Sequence, residues 1–490
     1  MPTSFTHDFD TPVYKGRTSF ETGLFINGKF VDGSEGETID IVNPATGKVI
    51  TSVSEGTAKD VDIAVAAAQE AYEKSWGLTV SGRERSNILW KFAELMEAHA
   101  KELGAIEALN NGKTFGWASS VDVVFSIDVT KYYAGWADKV TGQVLETNDK
   151  TLSYTRHEPI GVVGQIIPWN FPPLATGNTV VLKPSEFTPL SALRVCALLN
   201  EAGVPPGVVN VVTGYGNTVG EAITSHSKIE KVAFTGSTLV GRKVMEAAAK
   251  SNLKKVTLEL GGKSPNIIFN DADMEQAVKW TAHGLFWNHG QACCAGSRIF
   301  VQSGVYDEFL QKFTAKAKEI KLGDPFGEGV DQGPQISQIQ YDRIMGYINS
   351  GLTDGAKIHL GGGRVGTDGY FIEPTIFVDA NPEMRIVQEE IFGPVGVIIK
   401  FDNEEDVIRQ ANDTFYGLAA AVFSKDINRA INTANKLKAG TVWVNCYNTF
   451  HPTVPFGGFK QSGIGRELGE YCLHNYTNVK AVQVNLGTKL

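Results

Sequence analysis

Two textures of apolar residues divide the chain. Over 59–76 (KDVDIAVAAAQEAYEKSW) alanine-rich positions predict a helix, and a second follows with Ile88, Phe92, Leu95 and Met96 stacked at helical spacing. From residue 160 the period changes. Short β-branched runs (GVVGQII, TVVLK, VVNVVTG, KVAFTG, KVTLEL, NIIF) alternate with helical stretches such as SALRVCALLNEAG and VGRKVMEAAAK. That alternation predicts βαβ units around a parallel sheet, hence an α/β fold. A third block, about 262–462, repeats the texture, with RIFVQ followed by VYDEFLQKFTAKAKEIK.

Two segments differ. Residues 141–159 and 477–485 alternate polar and apolar positions, as exposed antiparallel strands do. Unpaired strand edges invite aggregation, so these segments are expected to pair with each other or across a subunit interface.

Composition narrows the class. A chain of 490 residues exceeds one ordinary core, and 42% apolar with 20% charged residues is a globular balance. The formal charge of −9, without clustered Lys and Arg, argues against nucleic-acid or anionic-membrane partners. Five cysteines (Cys196, Cys293, Cys294, Cys446, Cys472) show neither staple-like nor zinc-ligand spacing, so no metal is expected and a reducing compartment is. MPTSFTHDFD lacks the apolar core of a secretory signal, and no run approaches a membrane span. The expected location is the cytoplasm.

Candidate chemistry centres on FWNHGQACCAGSR (286–298). Small residues on both sides of the two thiols allow close backbone approach to a substrate and expose a side chain. A thiolate suits an aldehyde: it adds to the carbonyl, and the adduct can expel hydride to an acceptor. Near neutrality this needs a thiol whose pKa is depressed by local dipoles or charge. A second feature is FTGSTLVG (234–241), a glycine turn between strand KVAF and a helix. A helix N-terminus there presents free N–H groups suited to a pyrophosphate, although the spacing is not the GxGxxG fingerprint.

GQACCAGSR and LELGGKSP (258–265) resemble the two active-site motifs of the aldehyde dehydrogenase superfamily. IPWNFP (167–172), KPSEFTP (183–189), FTGSTLVG, QEEIFGPV (388–395) and PFGGFKQSGIGRELG (455–469) are similar to further family motifs, in family order. The likeness runs from about residue 23 to the C-terminus. It implies a Rossmann-like NAD-binding domain (1–140 and 160–261), an α/β catalytic domain (262–462) and a β oligomerisation element with tail (141–159 and 463–490). It also implies a homodimer or homotetramer. Position by position, it implies Cys293 as nucleophile and Glu259 as the base activating water. Asn170 would stabilise an oxyanion together with the Cys293 N–H. Lys183, Ser185 and Glu186 would lie at the adenine ribose, Gly236 and Ser237 near the diphosphate, and Glu390 and Phe392 at the nicotinamide ribose and ring. Ile166, Trp169, Gly216, Gly220, Phe234 and Leu260 complete the expected cofactor contacts. Glu186 would repel a 2′-phosphate, favouring NAD, while Lys183 keeps NADP open.

One departure stands out. The family's segment of about ten residues after Trp-Asn-Phe-Pro is missing, and a parallel crossover usually needs about ten residues or more, commonly a helix. Only Pro168 to Asn178 connect GVVGQII to TVVLK, and three of those eleven residues are proline. The sequence therefore reads as a mis-spliced product, an impaired variant that binds NAD without turnover, or a functional chain with a rearranged loop. Acyl transfer to coenzyme A is another reading, against which Glu259 argues as a hydrolytic base. Phe286, Trp287, Phe450 and Phe456 suggest an apolar aldehyde channel, and bulky Trp287 a small aliphatic substrate.

Overall fold

The two runs flanking the proline-rich stretch form parallel neighbours. Val162–Ile166 (β9) pairs along its whole length with Thr179–Lys183 (β10). The computed structural model describes residues 3–166 and 177–489, so Trp169 and Asn170, expected at the site, lie outside the described residues. The same sheet contains Leu24–Ile26 (β3), Lys29–Val31 (β4), Val209–Val211 (β11), Lys231–Thr235 (β12), Lys255–Glu259 (β13) and Gly463–Ile464 (β21). Its order is β21-β13-β12-β9-β10-β11-β3-β4, with β9 to β13 mutually parallel.

Both faces of this sheet are covered, which is why its strands read as unbroken apolar runs. Alternate residues serve different cores. Val180 and Leu182 pack with Phe92 and the helix Leu190–Ala202, whereas Val162 and Val181 pack with Val61, Ala64 and Val65 of the helix Ala58–Lys74. The predicted second helix is Gly82–Ala98, opened by a Ser81–Glu84 capping box. Phe92 and Met96 are buried and Ile88 and Leu95 half-buried; Leu89 also turns inward.

From β9 the chain builds outward through β10 and β11, then returns to lay β12 and β13 on the other side. Crossovers therefore leave β9 and β12 in opposite directions, and a crevice opens at the carboxyl ends of the strands. Ile166, Lys183, Thr235 and Glu259 stand along that edge. Much later in the chain, β21 folds back antiparallel on β13, setting Gly463 opposite Glu259.

The link 260–264 carries the chain into a second sheet. It contains Pro265–Ile268 (β14), Arg298–Gln302 (β15), Lys357–Leu360 (β16), Thr375–Val378 (β17), Val395–Phe401 (β18), Ala419–Phe423 (β19) and Thr441–Val444 (β20). The order is β16-β17-β18-β15-β14-β19-β20, with only β16 antiparallel.

The two alternating segments pair with each other. Val144–Asn148 (β7) and Thr151–Pro159 (β8) form a hairpin, and Thr477–Asn485 (β22) lies along the whole of β8. Two more hairpins precede them: Ser4–Asp10 (β1) with Lys15–Glu21 (β2), and Thr38–Asn43 (β5) with Lys48–Ser54 (β6). Among the described residues no helix is long and apolar enough to cross a membrane, and no cluster of acidic, His and Cys side chains suits a metal ion.

Candidate active site

The nucleophile segment begins where the helix Met274–Phe286 ends. Asn288, His289 and Gly290 follow with φ of 50°, 60° and 70°, a left-handed run that Asn and Gly tolerate and that costs His about 1 kcal/mol or more. Neighbours hold it in place. The Asn288 amide donates to the Gln291 carbonyl at 2.8 Å, Gly333 N–H donates to His289 Nε2 at 3.1 Å, and Ile336 N–H donates to Gln291 Oε1 at 3.0 Å. Burial, aided by the Lys113 charge, pushes His289 down to about 3, so it serves as a neutral acceptor.

Beyond this bend the two thiols part. Cys294 is buried; its Sγ donates to Asn448 Oδ1 at 3.3 Å and its carbonyl accepts from the Tyr447 hydroxyl at 2.6 Å. Asn266 pins the Gly296 carbonyl at 3.0 Å. Cys293 is the half-exposed member of the pair. A β-carbon on Gly262 would fall 2.4 Å from the Cys293 carbonyl, so glycine there lets the two loops close on each other. The expectation of a depressed thiol is corrected. The hydrogen-bonded Cys294 thiol, burial and the Glu390 charge hold the Cys293 thiol well above its ordinary value. Cys294 is the next residue, but Glu390 lies on a separate segment, out of reach of a local reading.

Glu259 closes β13 and is 9% exposed. Its Oε2 has no hydrogen-bond partner among the described residues, and a β-carbon on Gly457 would lie 2.7 Å from its Oε1. Burial first, then the charges of Glu467 and Cys293, push its carboxyl well above the usual carboxylate range, with Arg466 opposing. A carboxylate so placed is a stronger base than a free one. Glu467 is also buried and is pushed up to about 7, mainly by burial. It lies inside a motif matched in the sequence, yet no role had been assigned to it. Tyr447, Asn448 and Asn266 were missed altogether; a polar CYN triplet after a strand is a weak signal.

The cofactor residues gather along the sheet edge. A β-carbon on Gly220 would stand 3.8 Å from Lys183 Cδ and 3.9 Å from Ile166 Cδ1, so these three share one wall. Lys183 is buried, donating to the Pro184 carbonyl at 2.9 Å and to Glu186 Oε2 at 3.0 Å. Ser185 is half-buried, and its Oγ accepts from Phe187 N–H at 3.3 Å. Gly216 opens the short turn ending at Gly220 and has open space around its Cα. Ser237 caps the helix Thr238–Ser251 by accepting from Val240 N–H at 3.4 Å. Gly236 fits against the Phe234 ring and donates to the Glu259 carbonyl at 3.0 Å; Leu260 packs on Gly241. Gly236 and Gly241 thus touch the end of β13 directly, whereas Lys183 on β10 is separated from it by β9 and β12.

Glu390 reaches the same place from the second sheet. Its Oε1 accepts from Gly262 N–H at 3.2 Å, and a β-carbon on Gly261 would fall 2.2 Å from its Oε2. Burial pushes it up to about 7, opposed by the Gly262 N–H, Arg343 and Lys263. Phe392 has φ 58° and its carbonyl accepts from the Gln340 amide at 2.8 Å. Of the four aromatic residues expected to line a channel, Phe450 and Phe456 meet edge to face at 5.3 Å and pack with Cys293 on one apolar cluster. Trp287 meets Trp117 and His283. Phe286 is corrected: it is 6% exposed and stacks on Phe313 in the core, because it ends a helix whose apolar face points inward.

This combination of a switch-point crevice, a half-exposed thiol and a buried carboxyl on the adjoining strand defines a two-sheet enzyme with a dinucleotide-type edge. Comparison with known proteins gives the class. The profile of the Aldehyde dehydrogenase family matches residues 30–482. Aldehyde dehydrogenases of Agaricus bisporus and Emericella nidulans are 71% and 57% identical, over 100% and 98% of both chains. Human aldehyde dehydrogenase 1A1 is 52% identical over 96% of each chain. Among solved structures, the NAD+ complex of a Bacillus cereus aldehyde dehydrogenase has a TM-score of 0.93 at 48% identity, covering 95% of this chain and 97% of that one. Betaine aldehyde dehydrogenase from Staphylococcus aureus, complexed with NAD+, has 0.94 at 41% identity, covering 96% of each. The chain belongs to the aldehyde dehydrogenase family. It is an oxidoreductase of that class.

Proposed function

We propose that the chain oxidises an aldehyde to the carboxylic acid, with NAD as acceptor, through a thioester on Cys293. Cys293 Sγ adds to the carbonyl carbon while the thiol proton passes to the carbonyl oxygen. The hydrogen on that carbon then departs as hydride and the oxygen gives up its proton, leaving the thioester, and water releases the acid and frees the thiol. Aldehyde, acceptor and water thus become carboxylate, reduced acceptor and two protons. Glu259 draws the proton from the attacking water, a role supported by its buried, unpartnered carboxylate oxygen. Asn170, outside the described residues, is assigned with the Cys293 N–H to the oxyanion; such donors are worth roughly 3–4 kcal/mol.

The residues present fit a dinucleotide. Gly220 and Gly261 leave cradles that a β-carbon would narrow, and Lys183 with Glu186 offers a cation and a carboxylate for ribose hydroxyls. Ile166, Ser185, Gly216, Phe234, Gly236, Ser237 and Leu260 would hold the remainder, and Glu390 with Phe392 the nicotinamide end. When bound, the nicotinamide supplies the hydride acceptor. Glu186 favours NAD over NADP, and the NAD+ complexes of the two structural neighbours agree. Trp287 favours a small aliphatic aldehyde. Exposed Val144, Leu145, Leu152, Val479 and Val484 on the three-stranded sheet support subunit pairing there. The cytoplasm is the proposed location.

The observation that carries this reading is Gly262, three residues after Glu259, which packs against the Cys293 carbonyl and donates to Glu390, so that the partly buried thiol and both carboxyls meet at one place. The test is NADH production by the purified chain over an aldehyde panel, beside Cys293→Ser. Expected is turnover, best with small aldehydes, and a fall of about a thousandfold or more in the variant. Undiminished oxidation by Cys293→Ser would refute the mechanism. The short stretch 168–178 favours a second reading, cofactor binding without turnover. NAD binding with no NADH formed, and turnover once a crossover of family length is inserted, would support that reading.

A further inference from the structure

Behind Glu259 lies a buried polar layer that the reaction as derived leaves unused. Lys231 on β12 and Thr257 and Glu259 on β13 point to one face of the sheet, as register and the period of two require. Lys231 has no exposed surface. Its ammonium donates to Thr257 Oγ1 at 2.6 Å and stands 4.6 Å above the ring of Tyr476. Tyr476 follows Cys472 by one helical spacing, and Cys472 Sγ donates to Glu467 Oε2 at 3.6 Å. Tyr476 and Cys472 belong to one buried cluster, touched by Lys231 at the ring and by Glu467 at the thiol. Glu467 pairs in turn with Phe456, and Gly457 next to it abuts Glu259 Oε1.

A buried ammonium whose near partners are a hydroxyl and a ring face requires a compensating charge. Every element packed around it can be checked. On β13, Lys255 repels it; on β9, Gln165 is neutral. From 471–476 come Cys472 and Tyr476, and from the helix Val123–Trp136 comes Tyr133, which reaches Cys472. Glu467 is the attracting carboxylate. Burial holds Lys231 down to about 8 against the pull of Glu467, and Lys231 in turn opposes the burial that raises Glu467. Lys231 is not among the charges acting on Glu259, whereas Glu467 is.

We propose that Lys231 is a positioning residue for thioester hydrolysis: its ammonium keeps the Glu467 carboxylate ionised beside Glu259, and that like charge sets how strongly Glu259 draws the proton from water. The proposal rests on the thioester reading above. Its sign follows from the contacts. Without the ammonium, Glu467 takes up a proton, the repulsion on Glu259 disappears, and Glu259 becomes a weaker base with a lower pKa.

The test mixes full-length enzyme rapidly with NAD and acetaldehyde across pH, and follows both the NADH burst and the slower steady rate. In Lys231→Met the burst is expected to survive within about twofold, with hydrolysis roughly tenfold slower. The acid midpoint of the hydrolytic rate is expected to move down by roughly one unit, and Lys231→Arg to restore most of the rate. An unmoved midpoint at wild-type rate overturns the proposal, as does equal loss of burst and steady rate in a variant that melts like the parent. Should Lys231→Met fail to fold, Glu467→Gln, which makes neutral the group that the ammonium is proposed to keep charged, carries the test. A retained burst with slowed hydrolysis and a lowered acid midpoint supports the proposal, and parental hydrolysis with an unmoved midpoint ends it. A wild-type enzyme that forms NADH with no cysteine adduct would instead sink the thioester reading and leave this one distinguishable.

Discussion

The two ends of the crevice handle charge in opposite ways. At the Lys183 end charges are paired: the ammonium has Glu186 and a carbonyl, and Ser237 caps a helix. At the Cys293 end they are left almost bare. Glu259 has an oxygen without a partner among the described residues, Glu390 receives one backbone N–H, Glu467 receives a thiol, and the Cys293 thiol is pushed up by its surroundings. Pairing makes a fixed grip. Burial without pairing brings carboxyl proton affinities toward neutrality, where proton transfer in both directions is affordable.

Five substitutions break or sharpen that contrast. The largest effect is expected at the bare end. Glu259→Gln should keep the NADH burst while steady turnover falls by about 10²–10⁴, measured by rapid mixing. Glu259 must be deprotonated to act and its pKa is raised, so the parental steady rate should fall as pH drops, with an acid limb above the ordinary carboxylate range. In the variant that acid limb should vanish; loss of the burst as well would remove Glu259 from hydrolysis and place it in acylation.

An intermediate effect is expected at Glu390, pushed up to about 7. It is anionic above that value, so NAD affinity, read by fluorescence titration, should tighten as pH rises through about 7. Glu390→Gln should bind NAD roughly tenfold more weakly with no such dependence. Lys183→Met, at the paired end, should weaken NAD by a similar factor, read by the same titration. Unchanged affinity there would erase the distinction.

The smallest effects come from two glycines. A β-carbon on Gly261 would overlap the Glu390 carboxylate, so Gly261→Ala should raise the KM for NAD several-fold by displacing it. Gly220→Ala meets Lys183 only at ordinary contact distance and should change stability by about 0.5 kcal/mol or less, as thermal melting would show.

Legibility followed distance along the chain. Cys293 sits in a motif with small neighbours, Glu259 ends a recognisable strand, and Lys183 pairs with a residue three positions on. These are local facts. Phe286 looked like channel lining because it adjoins the nucleophile segment, but the helix it ends turns it onto Phe313. The thiol was expected to be depressed, a reading that needed the positions of Cys294 and Glu390 relative to it. Glu467 was in view as a letter in a motif; only the return of β21 to β13 sets it against Glu259.

Periodicity and motif order in the sequence were enough to specify a parallel α/β architecture, its family, the candidates for nucleophile and base, and a glycine turn feeding a helix. These depend on residues near one another, where backbone geometry and side-chain type decide the outcome. Tertiary structure alone decided the proton affinities and the partnership of Lys231, Glu467 and Glu259. Electrostatic energy in a buried site depends on separation in space and on exclusion of water, and neither quantity is written along the chain.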